Sequence, residues 1–121
     1  MYGSKSLRSG FTPDPFSKDL TAGGGKQVTV AGVTMWVANE PDFSLDYTAG
    51  NLPLTFYVRS KADTTLLIKL PDGTWIADDD SDGSLNPLIK LARPRSGRYD
   101  IWVGTMNGGL APATLYISEL R

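Results

Sequence analysis

The sequence contains no histidine and no cysteine, and these two absences remove most of the common catalytic and metal-binding groups. Without imidazole there is no Ser-His nucleophile, no histidine base and no histidine ligand for a metal. Without a thiol there is no disulfide, no thiolate nucleophile and no cysteine-bound zinc. A pair of aspartates or a Ser-Lys dyad remains conceivable. A catalytic pair of carboxyl groups needs a cleft that raises one pKa, however, and the acids here lie together in one exposed loop. We therefore predict that the protein is not an enzyme.

The sequence also lacks a long apolar run and a strong net charge. No stretch approaches the roughly 18 apolar residues of a membrane-spanning helix, so we expect no membrane span. The net charge of −1 provides no polycationic surface, so we expect no binding to nucleic acid. Residues 1–6 have no apolar run of the kind found in signal peptides, which leaves two interpretations open. Either the protein stays inside the cell, or the chain is a mature or excised domain.

Glycine and proline, in contrast, are frequent, with 13 and 8 copies that recur between short apolar runs. This pattern is typical of many turns and short strands. No window of ten or more residues has a clear 3.6-residue apolar period. We predict an all-β fold, a jelly-roll-like antiparallel β-sandwich of about eight or nine short strands. Alternating or β-branched runs, which are the candidates for these strands, lie at 16–20, 27–30, 34–37, 43–47, 54–59, 64–70, 75–77, 88–91, 99–104 and 113–120.

The chain length of 121 residues suits one domain with one core. Residues 1–15 are polar and contain two glycines and two prolines, so we predict a flexible N-terminal lead-in there. Residues 16–121 then form the sandwich domain, which we expect to be a monomer.

The densest charge lies in residues 77–87, where four carboxylates fall within five positions. Carboxylates this close repel one another, and no lysine or arginine lies between Trp75 and Leu88 to offset them. The alternation Asp78-x-Asp80-x-Asp82-Gly83 has the spacing with which a tight turn brings oxygen atoms to calcium. The loop is not an EF-hand, because the twelfth residue from Asp78 is Ile89 instead of glutamate.

Two interpretations of this loop remain open. It is either a calcium site or a solvated, highly charged turn that holds no ion. A calcium ion would need further ligands from backbone carbonyls, water, Asp63 or Asn86. The predicted metal ligands are Asp79, Asp80, Asp78, Asp82, Asp63 and Asn86.

A set of short motifs resembles the bacterial pre-peptidase C-terminal (PPC) domains, and more closely a single-domain branch of PPC-like proteins. The motifs are Asp63-Thr64-Thr65-Leu66, Pro71-Asp72-Gly73, Asp79-Asp80, Asn86-Pro87 and Ser96-Gly97-x-Tyr99-Asp100-Ile101-Trp102-Val103-Gly104. The resemblance implies a non-enzymatic jelly-roll sandwich that accompanies secreted or periplasmic hydrolases, and several relatives bind calcium. It also implies that Asp79, Asp80 and Asp63 help to hold the ion.

The aromatic residues suggest a second function, which is a platform for carbohydrate. Trp102 should point away from Ile101 and Val103, and Tyr57 away from Phe56, because side chains alternate along a strand. One face of a sheet in a two-sheet sandwich is solvated, so we expect some of these rings to be exposed. Aromatic residues that simply fill the core are the other interpretation. A third option is an adaptor that binds a partner protein through an uncovered strand edge. The predicted ligand-binding residues are Trp75, Trp102, Trp36 and Tyr57.

Overall fold

The computed structural model describes residues 1–82 and 85–121, and these residues form eleven strands and no helix. The strands build two sheets that pack face to face, which confirms the predicted all-β sandwich. The elements are β1 (Ser4–Arg8), β2 (Phe16–Ala22), β3 (Lys26–Val30), β4 (Val33–Val37), β5 (Phe43–Thr48), β6 (Leu54–Arg59), β7 (Thr64–Lys69), β8 (Trp75–Asp78), β9 (Leu88–Leu91), β10 (Gly97–Thr105) and β11 (Ala111–Ser118).

The structure has more strands than the eight or nine expected, and one pair is parallel. β1 runs parallel to β5, from Ser4 opposite Ser44 to Arg8 opposite Thr48. Leu7 is the only apolar residue of β1, so no alternation marked this strand in the sequence. The predicted boundary at residue 16 coincides with the start of β2, but the segment before it contains β1. The flexibility of residues 1–15 stays a prediction.

The larger sheet is organised around β10, which pairs with β7 along one edge. Along its other edge β10 pairs first with β5 and then with β4 through Thr105 and Trp36. β8 extends the sheet beyond β7, and β3 extends it beyond β4. The smaller sheet has the order β2-β11-β6-β9.

The main core fills the space between the two sheets. Successive strand residues point to opposite faces, so alternate residues of every described strand except β3 and β4 enter or border this core. Tyr99 of the larger sheet and Phe56 of the smaller one meet there with ring centroids 5.6 Å apart. Burial of these side chains is the main stabilising contribution of the fold.

A second apolar cluster lies on the outer face of the larger sheet. Leu67 and Trp102 point away from the main core, because their neighbours on β7 and β10 point into it. The β3–β4 hairpin folds over them with Met35 and Val37, and all four side chains are buried. The hairpin therefore forms a partial third layer and covers a sheet face that would otherwise be solvated.

Candidate functional site

The acidic loop begins where β8 ends, and Asp78 holds its two ends together. The Asp78 carboxylate accepts hydrogen bonds from the backbone N–H of Ser81 at 3.1 Å and from the Ser81 hydroxyl at 2.6 Å. It also accepts one from the backbone N–H of Leu88 at 2.9 Å, at the start of β9. Asp78 thus closes the loop by satisfying backbone donors at a turn.

Asp82 obtains its counter-charge from distant parts of the chain. Its carboxylate forms an ion pair with Arg59 of β6 at 3.3 Å and a second ion pair with Arg121. The Asp82 side chain is only 5% exposed, so the two arginines offset a largely desolvated charge. Both guanidinium groups also lie over the Tyr57 ring, at 5.5 Å for Arg59 and 4.3 Å for Arg121.

Asp79 and Asp80 are the two carboxylates that the loop brings together. Burial raises the pKa of Asp79, and a hydrogen bond and the negative charge from Asp80 raise it further. The charge of Asp78 acts in the same direction. This repulsion between neighbouring carboxylates is a local electrostatic conflict that a bound cation would relieve.

Asn86, at the end of the loop, contacts the segment between β6 and the start of β7, and Asp63 lies in that segment. The Asn86 side chain accepts a hydrogen bond from the Thr64 hydroxyl at 3.0 Å and donates one to the Ser60 carbonyl at 3.1 Å. The Asp63 carbonyl accepts a hydrogen bond from the backbone N–H of Met106 at 3.2 Å. Asn86 therefore anchors the end of the acidic loop to the sandwich.

The six predicted calcium ligands thus have different structural roles. Asp78 and Asn86 use their side chains to hold the loop, and Asp82 is paired with two arginines. Within residues 1–82 and 85–121, no group of three or more acidic side chains is placed to hold a metal ion. Gly83, the glycine of the predicted calcium motif, lies outside the described residues. Calcium binding at Asp79 and Asp80 stays a prediction.

The predicted aromatic ligand-binding residues are separated onto three surfaces. Tyr57 stacks on Tyr116 on the outer face of the smaller sheet, with centroids 4.9 Å apart and an interplanar angle of 8°. Two arginines cover this stack, and Tyr57 is 8% exposed. Trp36 is half-buried near the end of β4. None of these rings forms an open flat platform with another.

Trp75 and Trp102 do meet, in an apolar groove between the β3–β4 hairpin and the outer face of β7, β8 and β10. Their ring centroids are 5.3 Å apart, and the rings are tilted by 38°. Trp75 is 43% exposed, whereas Trp102 is 9% exposed and forms part of the floor. The groove has a volume of about 480 Å³ and is lined by Lys26, Val28, Thr29, Val30, Val37, Ala38, Asn39, Leu67, Trp75 and Trp102. We call this site the tryptophan groove.

The sequence indicated the two tryptophans but not the remaining walls of the tryptophan groove. Val28 and Val30 alternate along β3, which was the one available signal, and they are half-buried on the face turned toward the sheet. Lys69 ends β7 and places its ammonium group 5.6 Å from the centroid of the Trp75 ring. It was missed because no local pattern connects a strand-end lysine with a groove.

Neither a family model nor a curated protein sequence matches the chain. Its structure is similar to the pre-peptidase C-terminal domain of a collagenase from Bacillus anthracis, with a TM-score of 0.54 and 8% identity over 95% of this chain and 94% of that one. It is also similar to CorA, a surface-associated copper-binding protein of Methylomicrobium album BG8, with a TM-score of 0.55 and 9% identity over 95% and 98% of the chains. PliG, a periplasmic inhibitor of g-type lysozyme from Aeromonas hydrophila, matches at a TM-score of 0.46 and 16% identity over 95% and 96%.

The first of these similarities confirms the PPC-like character of the chain at the level of the fold. At such low identity, the similarities to the collagenase domain and to CorA show the architecture and carry no ligand or activity with them. Across the part of the chain that the structure describes, there is also no helix of the length and apolarity needed to span a membrane.

Proposed function

We propose that this chain is a non-catalytic binding module with the PPC fold, and that its ligand occupies the tryptophan groove. The observation that supports this proposal is the groove itself. A volume of about 480 Å³ with mainly apolar walls and a few polar groups is typical of ligand sites. Trp75 is among the most exposed large apolar side chains of the described residues, and an exposed tryptophan at the mouth of a groove is a common binding anchor.

The proposal of a non-catalytic role is supported by where the titratable groups lie. Lys26 is the single titratable residue among those that line the tryptophan groove. The carboxyl with the clearly raised pKa of about 6 belongs to Asp42, which is buried and bonded to a strand. Acid–base chemistry needs such a group within reach of a substrate, and Asp42 is not among the residues that line the groove.

An apolar probe tests the proposed groove directly. We expect the anionic dye 1-anilinonaphthalene-8-sulfonate to bind the folded protein with enhanced fluorescence. The variant Trp75→Ser should weaken this binding about tenfold, because a ring that anchors an apolar ligand is typically worth more than 1 kcal/mol. Titration of dye fluorescence measures both dissociation constants.

The matched control is Leu110→Ser, since Leu110 is 70% exposed and is not among the residues that line the groove. This variant should bind the dye as the unaltered protein does. Equal affinities for the unaltered protein, Trp75→Ser and Leu110→Ser would argue against a ligand site at the tryptophan groove.

We also propose that calcium binds at Asp79 and Asp80, with the remaining ligands supplied by backbone carbonyls and water. The close approach of the two carboxylates, which raises the pKa of Asp79, supports this proposal. A site with only two protein carboxylates should be weak, with a dissociation constant of about 10⁻⁴–10⁻³ M. The ion would neutralise the loop next to β8, the strand that carries Trp75.

Thermal melting in the presence and absence of calcium tests this second site. At 100 times its dissociation constant, an ion that binds only the folded state should stabilise the protein by about 2.7 kcal/mol. Asp80→Ala should abolish the increase in melting temperature, whereas the exposed Asp46→Asn should preserve it. A melting temperature that excess calcium leaves unchanged, and on which Asp80→Ala has no calcium-dependent effect, would reject the site.

Finally, we propose a secreted or periplasmic location for the protein. The resemblance to PPC domains supports it, and one of the two structures that share the fold comes from a surface-associated protein. The absence of cysteine leaves the redox compartment open.

A further inference from the structure

We infer that the ligand of the tryptophan groove is an extended peptide segment of a partner protein, in which apolar and acidic side chains alternate. This inference rests on the proposed binding role of the groove and adds the chemical class of the partner. It is supported by the strand edges beside the groove and by the charges at its rim.

Two strand edges flank the groove. Among the described strands, β3 pairs only with β4, and β8 pairs only with β7. The outer edge of each strand therefore carries backbone N–H and C=O groups without a strand partner. Such an edge accepts an added strand, with main-chain hydrogen bonds for affinity and pockets for alternate side chains.

The geometry of Thr29 shows that the backbone of β3 faces the groove. The Thr29 hydroxyl lies 2.8 Å from the Thr34 hydroxyl across the hairpin. Because neighbouring strand residues point to opposite faces, the Thr29 side chain points away from the face that carries Val28 and Val30. Thr29 nevertheless lines the groove, so its contribution there comes from the backbone edge.

The charges around the groove favour an acidic partner. Among the described residues, the lining contains Lys26 and no acidic side chain. Lys69 does not line the groove, but its ammonium group lies beside the ring of Trp75, which does. Neither lysine takes part in the ion pairs formed within the described part of the chain, and the nearest acid on β10, Asp100, is bonded to Arg98 at 2.9 Å. An acidic side chain of the ligand can therefore pair with either lysine.

The same observations disfavour two other occupants. A polysaccharide that stacks on flat rings would meet a single well-exposed indole, since Trp102 is 9% exposed and tilted by 38° against Trp75. A second copy of this chain would bring the same two lysines to the groove a second time, and like charges repel.

Selection from a phage-displayed library of random peptides tests the inference. The full chain is the bait, and Trp75→Ser serves for counter-selection. We expect enriched sequences of about six to eight residues in which apolar and acidic positions alternate, because β3 spans five residues at about 3.3 Å each. A synthetic copy of an enriched peptide is then titrated by calorimetry.

Two changes should each weaken that peptide about tenfold. N-methylation of every second amide removes hydrogen bonds to the strand edge, and Lys26→Glu reverses the charge that the acidic positions need. Lys61→Glu is the matched control, because Lys61 is exposed on the turn after β6 and does not line the groove. This variant should bind the peptide as the unaltered protein does.

Several results would overturn the inference. They are enrichment of neutral or basic peptides, affinity that N-methylation does not change, and no enrichment at all. Binding on a glycan array that Trp75→Ser abolishes would identify a sugar ligand instead. Sedimentation that shows a dimer dependent on Trp75 would make a second copy the occupant. If dye binding still depends on Trp75 in any of these cases, the proposed function of the groove stands and only the peptide class fails.

Discussion

Replacing Glu119 with alanine is expected to destabilise the folded protein by about 3 kcal/mol, because the buried Tyr47 hydroxyl and the Gly10 N–H lose their shared acceptor. The Glu119 carboxylate accepts a hydrogen bond from the Tyr47 hydroxyl at 2.5 Å and another from the backbone N–H of Gly10 at 2.6 Å. Glu119 is 4% exposed, so water cannot replace the lost acceptor without rearrangement. These two contacts join the segment before β2 and the strand β5 to the end of β11.

The effect of Glu119 should also depend on pH. Burial alone would raise the pKa of Glu119, but hydrogen bonds from Tyr47, Gly10 and Ser9 together hold it below its ordinary value. A lowered pKa in the folded state means that the stabilisation is present above the ordinary pKa of 4.5 and is lost as pH falls through the lower folded value. Burial raises the pKa of Tyr47, and the hydrogen bond to the negatively charged Glu119 raises it further.

Urea unfolding measures this effect, with Glu40→Ala as the matched control. Glu40 is the other glutamate of the chain and is exposed, so its replacement should change the free energy of unfolding by less than about 0.5 kcal/mol. A double-mutant cycle with Tyr47→Phe and Glu119→Gln isolates the energy of the pair. An unaltered urea midpoint for Glu119→Ala would show that the hydrogen bonds accepted by Glu119 do not contribute to stability.

Most strands could be predicted from the sequence, because apolar and polar residues alternate in a strand that packs one face on a core. The strands at 54–59 and 88–91 have the predicted bounds, and the ends of the other predicted strands differ from the observed ones by at most two residues. β1 was missed because it contributes a single apolar residue, Leu7, and is held by backbone pairing with β5. Backbone pairing of a polar strand leaves no pattern in the side chains.

The candidate sites were harder to predict, because they depend on contacts between residues far apart in the chain. The acidic loop has no cation nearby in sequence, yet Arg59 and Arg121 reach Asp82 in space. The tryptophan groove exists because β4 meets β10 through one residue pair, Thr105 and Trp36, which leaves the hairpin to fold over Leu67 and Trp102. Asp42 likewise falls between the strands predicted at 34–37 and 43–47, and nothing in that position indicates a buried acceptor.

Asp42 lies just before β5 and fills a gap in the hydrogen bonding of β10. β10 pairs with β5 up to Ile101 and with β4 at Thr105, so the backbone N–H of Val103 between them has no strand partner on that edge. The Asp42 carboxylate accepts a hydrogen bond from this N–H at 2.7 Å. Asp42 is 2% exposed, and burial raises its pKa from 3.8 to about 6, although the Val103 N–H opposes the shift.

Asp42→Asn is therefore expected to stabilise the protein at neutral pH and to have little effect in acid. Because the folded pKa is raised, the contribution of Asp42 is most favourable below pH 3.8, falls as pH rises through about 6 and is constant above it. A shift of about two pKa units corresponds to roughly 3 kcal/mol, and asparagine keeps an acceptor for Val103 without the buried charge. We expect a gain of about 2 kcal/mol at pH 7, since the new amide N–H groups also need partners.

Urea unfolding between about pH 4 and pH 8 tests this expectation. The quantity to compare is the difference in the free energy of unfolding between variant and unaltered protein, because the titration of Glu119 and other acids cancels in it. The exposed Asp46→Asn, on the adjoining strand β5, should give a difference near zero at every pH. Asp42→Ala, which leaves the Val103 N–H without an acceptor, should destabilise by about 1–3 kcal/mol in acid and by less at neutral pH, where it also removes the buried charge. A loss of stability in Asp42→Asn that stays the same from acid to neutral pH would mean that the buried group keeps its charge in acid. In that case the hydrogen bond from Val103, and not burial, would dominate the pKa of Asp42.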